Sequence, residues 1–275
     1  SDAIVGCTDC YANVDQDGNA FLFLGSATGL ASVPAWSWDT DDLTASGALF
    51  GSSVASAGDV NNDGYSDVLV GADNWTGVGR AFLFQGSPSG LSSAWSRSLP
   101  ASTRYRVSAA GDVNGDGFGD VLVGMPDYNP SGENGMAELY FGSGSGLSNG
   151  AAWSASGIGL GFVGFAQSVA SAGDINGDGY GDLLIGYPNY QQMGVPFGRV
   201  YLFLGSATGP ASEAAWIATG ETSLSSLGYS LAPAGDVNGD GCADIIVGNP
   251  SHAADSGLAL IWSEFNIECT KPTPS

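Results

Sequence analysis

The sequence predicts an all-β chain, a β-propeller of four-stranded antiparallel blades, five in number, with a fragment of a larger propeller as the alternative. Three observations carry this expectation. One acidic, glycine-rich segment recurs four times along the 275 residues. Each copy is followed by further short apolar runs separated by Gly, Asn, Asp and Pro. No segment of useful length places its apolar residues at helical spacing.

The repeat is the first of these to justify. SVASAGDVNNDGYSDVLVGAD begins at Ser53 and returns as RVSAAGDVNGDGFGDVLVGMPD from Arg106. SVASAGDINGDGYGDLLIGYPN from Ser168 and SLAPAGDVNGDGCADIIVGNP from Ser230 complete the set. The leading aspartates, Asp59, Asp112, Asp174 and Asp236, are 53, 62 and 62 residues apart. That period is too long for most solenoids and suits a four-stranded blade with generous loops.

The runs that follow supply the other strands. AFLFQG at Ala81, AELYFG at Ala137 and VYLFLG at Val200 match AFLFLG at Ala20 and, without the glycine, LALIW at Leu258. A Gly-Ser turn and a Trp-bearing segment come next, with Trp36, Trp95, Trp153 and Trp216 at equivalent places. Bulky filler between blades is the reading for these four indoles.

The ends fall inside units. Ser1-Asp2-Ala-Ile-Val-Gly aligns with Ser66-Asp67-Val-Leu-Val-Gly, just past the place for an acidic loop. Residues 1–262 are therefore read as the propeller, and residues 263–275 as a closing strand and linker-like tail. Ring closure by a blade shared between the two termini and a longer polypeptide with further domains both remain open.

Composition agrees with this class and excludes others. The chain has 44 Gly, 43% hydrophobic residues and a formal charge of −22 from 6 Lys+Arg against 28 Asp+Glu. That much apolar and aromatic material argues against disorder. So acidic a chain is a poor partner for nucleic acid or an anionic membrane, and no apolar run reaches the ~20 residues of a membrane helix. Cys7, Cys10, Cys242 and Cys269 allow three pairings, and two disulfides formed in an oxidising compartment are expected. A secreted or cell-surface location follows.

The recurring loop reads D-x-N-x-D-G-x-x-D, as in Asp59, Asn61, Asp63, Gly64 and Asp67. Calcium is a hard cation that takes six to eight oxygens, and alternate residues of a tight loop can aim theirs inward. The candidate ligands are Asp59, Asn61, Asp63, Tyr65 and Asp67 in the first loop, and Asp112, Asn114, Asp116, Phe118 and Asp120 in the second. Asp174, Asn176, Asp178, Tyr180 and Asp182 form the third set, and Asp236, Asn238, Asp240, Cys242 and Asp244 the fourth. Position 7 (Tyr65, Phe118, Tyr180, Cys242) contributes its backbone carbonyl, and Gly at position 6 allows the sharp turn. An EF-hand would need Glu at position 12, where Val70, Val123, Ile185 and Val247 stand instead. Four Ca²⁺ would bring −22 to about −14. A fifth loop is represented only by its last ligand, Asp2.

The phrase LFGSSVASAGDVNNDGYSDVLVGAD, residues 49–73, resembles the FG-GAP repeat of integrin α-subunit propellers, which bacterial secreted proteins and a fungal lectin also use. The resemblance covers nearly the whole chain. It implies a propeller with each calcium loop between the first and second strands of a blade, and ligand bound on the opposite face. Five units stand here against the integrins' seven, so the alternative is a fragment of a seven-bladed ring. The FG element itself reads Phe50-Gly51, Tyr105-Arg106, Phe165-Ala166 and Leu227-Gly228 in successive units.

Ligand candidates come from the loops between second and third strands. Trp75, Tyr128, Tyr190 and His252 each lie four residues past a strand-ending glycine, and Tyr11 lies five past Gly6. Such a ring of side chains could stack on a glycan or anchor a protein partner, and packing between blades is the competing reading. The run Trp38-Asp39-Thr40-Asp41-Asp42 lacks ordered ligand spacing and reads as a solvated loop. No nucleophile elbow accompanies the single histidine, His252, so the expectation is a binding module of adhesion or lectin type and not an enzyme. The other reading is a structural or accessory domain of a larger secreted protein.

Overall fold

A computed structural model describes residues 2–8, 10, 18–39, 47–74, 78–98, 104–132, 134–157, 163–252 and 256–270. Its strands form five consecutive antiparallel sheets, the blades of a β-propeller. Blade 1 comprises β1 (Ala3–Cys7), β2 (Asn19–Phe23) and β5 (Trp36–Asp39), with a small ribbon of β3 (Gly25–Ser26) and β4 (Gly29–Leu30) between the last two. Blade 2 is the meander β6 (Phe50–Gly58), β7 (Asp67–Ala72), β8 (Arg80–Gln85) and β9 (Ser92–Arg97). Blade 3 is β10 (Arg106–Gly111), β11 (Asp120–Met125), β12 (Met136–Tyr140) and β13 (Trp153–Ser156).

Blade 4 pairs β14 (Ser168–Gly173), β15 (Asp182–Tyr187), β18 (Arg199–Phe203) and β19 (Trp216–Thr219), with the ribbon β16 (Gln191–Gln192) and β17 (Val195–Pro196) in its second loop. Blade 5 has three strands, β20 (Ser230–Gly235), β21 (Asp244–Asn249) and β22 (Leu258–Trp262). Blade 1 matches the second to fourth strands of a full blade and blade 5 the first to third. They are separate sheets, not halves of one shared blade.

The second strand of each full blade explains the continuous apolar runs. All six residues of β7, β11 and β15 are buried, because a neighbouring blade covers each face. In β7, Val68 and Val70 turn toward blade 1 while Leu69 joins the core shared with blade 3. Four such cores fill the four blade interfaces. The tryptophans bear out the filler reading: Trp36, Trp95 and Trp153 meet Phe84, Tyr140 and Phe203 of the next blade edge-on, at 5.0, 4.8 and 4.9 Å between ring centroids.

Glycines at the ends of the second strands are needed for close approach. A methyl built on Gly6, Gly71, Gly124 or Gly186 would lie 2.0–2.9 Å from the carbonyl oxygen of Gly51, Tyr105, Ala166 or Gly228. These oxygens belong to the FG element of the following blade. Its leading residues, Phe50, Tyr105, Phe165 and Leu227, are all buried, so size and burial are retained where the aromatic is not.

The end blades show what a missing neighbour does. Leu83, Leu139 and Leu202 are 0% exposed, whereas Ile261 at the same place in blade 5 is 56% exposed. On the other side Val70 is 0% exposed and its blade 1 counterpart Val5 is 46% exposed. One expectation fails here. Residues 263–270 form no closing strand; Phe265 is buried against Trp216 and a disulfide draws the segment toward the acidic loops.

Burial difference sets a stability test. Leu139→Ala should destabilise the fold by about 2–5 kcal/mol, and Ile261→Ala at the equivalent place by about 1 kcal/mol or less. Urea unfolding of the two variants checks this, and equal losses would contradict the covered and open assignment of these faces.

Candidate cation sites

The acidic loops join the first and second strands of blades 2–5. The antiparallel order puts the loops between third and fourth strands at the same end. A bulge starts each loop: pairing shifts register between Ser56 and Gly58, and likewise before Gly111, Gly173 and Gly235. These glycines have φ of 75°, 84°, 78° and 73°, a region costly for other residues. The kink turns the next residue, the position-1 aspartate, away from the ladder.

Inside the loop the polar groups converge. The Asp112 carboxylate accepts the N–H of Asp116 at 3.0 Å and of Gly117 at 2.8 Å. Asn114 Nδ2 donates to Asp116 at 2.8 Å, and Asp116 accepts the Phe118 N–H at 3.0 Å. Blades 2, 4 and 5 repeat the pattern, with the Gly64, Gly179 and Gly241 N–H groups 2.8, 2.9 and 2.9 Å from Asp59, Asp174 and Asp236.

Position 9 is different: Asp67, Asp120, Asp182 and Asp244 are buried. One carboxylate oxygen of Asp120 accepts the Val113 N–H at 2.8 Å and the other the Gly142 N–H at 3.0 Å. Asp67 does the same with Val60 and Gly86, and Asp182 with Ile175 and Gly205. Asp2 accepts the Gly25 N–H at 2.8 Å, which places it as the position-9 residue of blade 1. Asp244 takes the Val237 N–H at 2.6 Å. In blades 2–4 the position-9 aspartate thus ties the acidic loop to the end of the third strand.

Burial raises the pKa of Asp67, and the nearby Asp63 and Asp59 add to the rise against the lowering effect of the two N–H donors. Asp120 is pushed up to about 6 and Asp182 to about 7, again by burial first, with Asp116 and Asp112, and Asp178 and Asp174, as the neighbouring negative charges. Such a group is short of positive charge. The donor set is all oxygen, with no imidazole or free thiol, and in blades 2–4 the aspartates at positions 1 and 5 are near enough to position 9 to raise its pKa. That chemistry fits a hard divalent cation and not zinc. At position 7 of blade 5, Cys242 is bonded to Cys269, and Cys7 to Cys10, so two of the three groups clustered at Asp240, Cys242 and Cys269 carry no thiolate.

The loops are also chained from blade to blade. The Gly119 N–H donates to Asp59 O at 2.9 Å, Gly181 to Asp112 O at 2.8 Å and Ala243 to Asp174 O at 2.9 Å. In each case position 8 of one loop meets position 1 of the loop before it. Sequence reasoning did not find this relay, because its atoms are backbone and leave no mark on side-chain identity.

On the opposite end, Tyr128 and Tyr190 are half-buried and pack against the cores of the adjoining interfaces. The Arg199 guanidinium lies 3.5 Å from the centre of the Tyr190 ring. His252 lines a cavity of about 220 Å³ with Glu221, Asn249, Leu258 and Trp262. Tyr11 and Trp75 lie outside the described residues, as do residues 40–42 of the acidic run. Two ion pairs stand on this end at blades 2 and 3: Arg104 with Asp127 at 2.5 Å and Arg106 with Asp73 at 3.2 Å. Deeper, Arg97 of blade 2 binds Glu138 of blade 3 through two hydrogen bonds of 3.0 Å, and Tyr140 donates its hydroxyl to the same carboxylate. No helix among the described residues is long and apolar enough to cross a membrane.

Comparison with known proteins agrees with this architecture. The FG-GAP-like repeat profile matches residues 59–123, and the FG-GAP repeat profile matches residues 165–203 and 227–262. The chain is 30% identical to integrin alpha-4 of Xenopus laevis over 228 residues, 81% of this chain and 21% of that protein. It is 33% identical to integrin alpha-6 of Gallus gallus over 208 residues, 72% of this chain and 17% of that one. Phosphatidylinositol-glycan-specific phospholipase D of Bos taurus is 29% identical over 212 residues, 66% of this chain and 25% of its own length. The chain thus spans a quarter or less of these three relatives. With the repeat profiles on the acidic loops and their blades, the chain belongs to the FG-GAP repeat family and carries integrin-like propeller blades.

Proposed function

We propose that this chain is a calcium-braced, non-catalytic recognition module of adhesion or lectin type, working outside the cell. The observation that carries the reading is the loop relay: four oxygen-only loops are hydrogen-bonded in series along one end of the blades. Each would hold one Ca²⁺ through positions 1, 3, 5 and 9 and the carbonyl of position 7. The bound ion would supply the positive charge that Asp67, Asp120 and Asp182 lack. Its role is to brace each blade's first hairpin.

With that end committed to cohesion, the opposite end is the surface for a glycan or protein ligand. Tyr128, Tyr190 and His252 recur there at equivalent places, and Tyr11 and Trp75 complete the proposed set. The integrin relatives favour an adhesion role, and two disulfides suit a secreted or cell-surface protein. A second reading, a structural or accessory domain within a larger secreted protein, is favoured by the open faces at Val5 and Ile261 and by the small share of each relative that the chain spans.

Calcium removal is the direct test of the brace. Binding to the folded state alone contributes about 2.7 kcal/mol per site at a hundredfold excess over Kd, so EDTA should lower Tm by about 10 °C or more. Identical melting in EDTA and in millimolar Ca²⁺ would remove the calcium assignment. Ligand recognition is tested on a glycan array with the parent chain and the Tyr128→Ala and Tyr190→Ala variants. Loss of binding by about tenfold or more is expected, and glycan binding that ignores both substitutions would place the ligand site elsewhere.

A further inference from the structure

The acidic loop of blade 5 departs from the others at position 7, where Tyr65, Phe118 and Tyr180 give way to Cys242. In blade 4 the Tyr180 ring lies against Gly115, position 4 of the preceding loop, and a methyl built there would sit 2.7 Å from the ring. At the next interface the matching glycine, Gly177, faces something else. A methyl on it would meet the Thr270 carbonyl at 2.6 Å and the Cys242 sulfur at 3.2 Å. The disulfide from Cys242 to Cys269 and the residue after it stand where an aromatic ring stands one blade earlier.

A second substitution accompanies the first. In blades 3 and 4 the turn after the third strand donates an N–H to the position-2 carbonyl of the preceding loop, Ser143 to Val60 O at 3.0 Å and Ser206 to Val113 O at 3.1 Å. β22 runs into Ser263-Glu264 without the Gly-Ser turn. Thr270 donates in its place, with its N–H 2.6 Å and its hydroxyl 3.1 Å from the carbonyl oxygen of Asn176, position 3 of the blade 4 loop. Between β22 and Thr270, Phe265 is held against Trp216 at 5.3 Å between ring centroids.

We propose that residues 263–270 are a disulfide-anchored clamp that positions the cation loops of blades 4 and 5, in place of the aromatic ring and Gly-Ser turn used by the earlier blades. The proposal rests on the calcium reading above. Cys242 presents its carbonyl as a ligand, and its side chain is the anchor of the clamp. Asn176 presents its side-chain oxygen, and its backbone carbonyl is the clamp's landing point. A dithiol reductant opens the device: the S–S bond breaks, two electrons and two protons pass to the cysteine sulfurs, and the reductant leaves as its own disulfide. Loops of blades 4 and 5 thereby respond to thiols, while those of blades 2 and 3 do not.

Calorimetric titration of calcium chloride into the EDTA-stripped chain tests this. The parent should take up four ions. In the Cys242→Ser/Cys269→Ser variant two of the four should bind about tenfold or more weakly, the scale of losing a group that orients a metal ligand, with the other two unchanged. Thr270→Pro keeps the disulfide but removes the N–H donor, and should weaken one site. Dithiothreitol added to a Cys7→Ser/Cys10→Ser chain, in which Cys242–Cys269 is the disulfide left, should repeat the two-site loss. Four unchanged sites, or four weakened alike, would overturn the clamp. A parent that binds no calcium would overturn the calcium reading itself, before any variant is compared. If the double serine variant does not fold, Thr270→Pro and the reduction experiment decide.

Discussion

The buried aspartate at the start of the second strand in blades 2–5 is the group on which the rest of the structure depends. Asp67, Asp120 and Asp182 each accept one N–H from the acidic loop and one from the glycine that ends the third strand. A single carboxylate thus fixes the separation of three strand ends at one edge of the blade. Such a group is costly to bury ionised, and two further aspartates nearby make it costlier. Two backbone donors offset part of this, which is why the shift is a rise and not the fall that such donors alone would give. A divalent cation in the loop would offset the remainder and turn a liability into a brace.

From this carboxylate the constraint passes outward. The loop it holds presents position-1 and position-2 carbonyls to the following blade, which answers with N–H groups from its own loop and third-strand turn. Blade geometry and the geometry of the acidic loops are therefore coupled. At the other end of the strands, glycines let the FG element of the next blade cross at backbone contact distance. Each interface is closed by hydrogen bonds at the loop end, backbone approach at the far end and an apolar core between. Among the described residues nothing covers the faces at Val5 and Ile261, which expose the residues that this scheme would bury.

Much of this was legible in the sequence because it repeats. The recurrence of the acidic loops, the strand order and the three-stranded first unit all follow from aligning the copies, and Asp2 stands where that alignment puts it. Features that occur once, or that use backbone atoms, were not legible. The glycine before each leading aspartate reads as a generic turn former until the register shift shows it to be a bulge. Glu138 sits among third-strand positions held elsewhere by Phe82, Tyr201 and Leu260, and the buried acid there is explained by Arg97, distant in sequence, together with Tyr140 two residues along the same strand. Cysteine pairing and the path of residues 263–270 depend on where two adjacent loops come together in space. A unit that stops at its third run suggests a closing strand after β22, but Phe265 finds its partner in Trp216 and residues 263–270 form no strand.

The most direct measurement is a count of calcium ions on the folded chain by native mass spectrometry, for the parent and for Asp120→Ala. Removing Asp120 takes the proposed buried ligand from one loop and leaves the Val113 and Gly142 N–H groups without their acceptor, while the other three loops keep their aspartates. The parent should carry four ions and the variant three. A parent that retains none, or a variant that still holds four, would contradict the account.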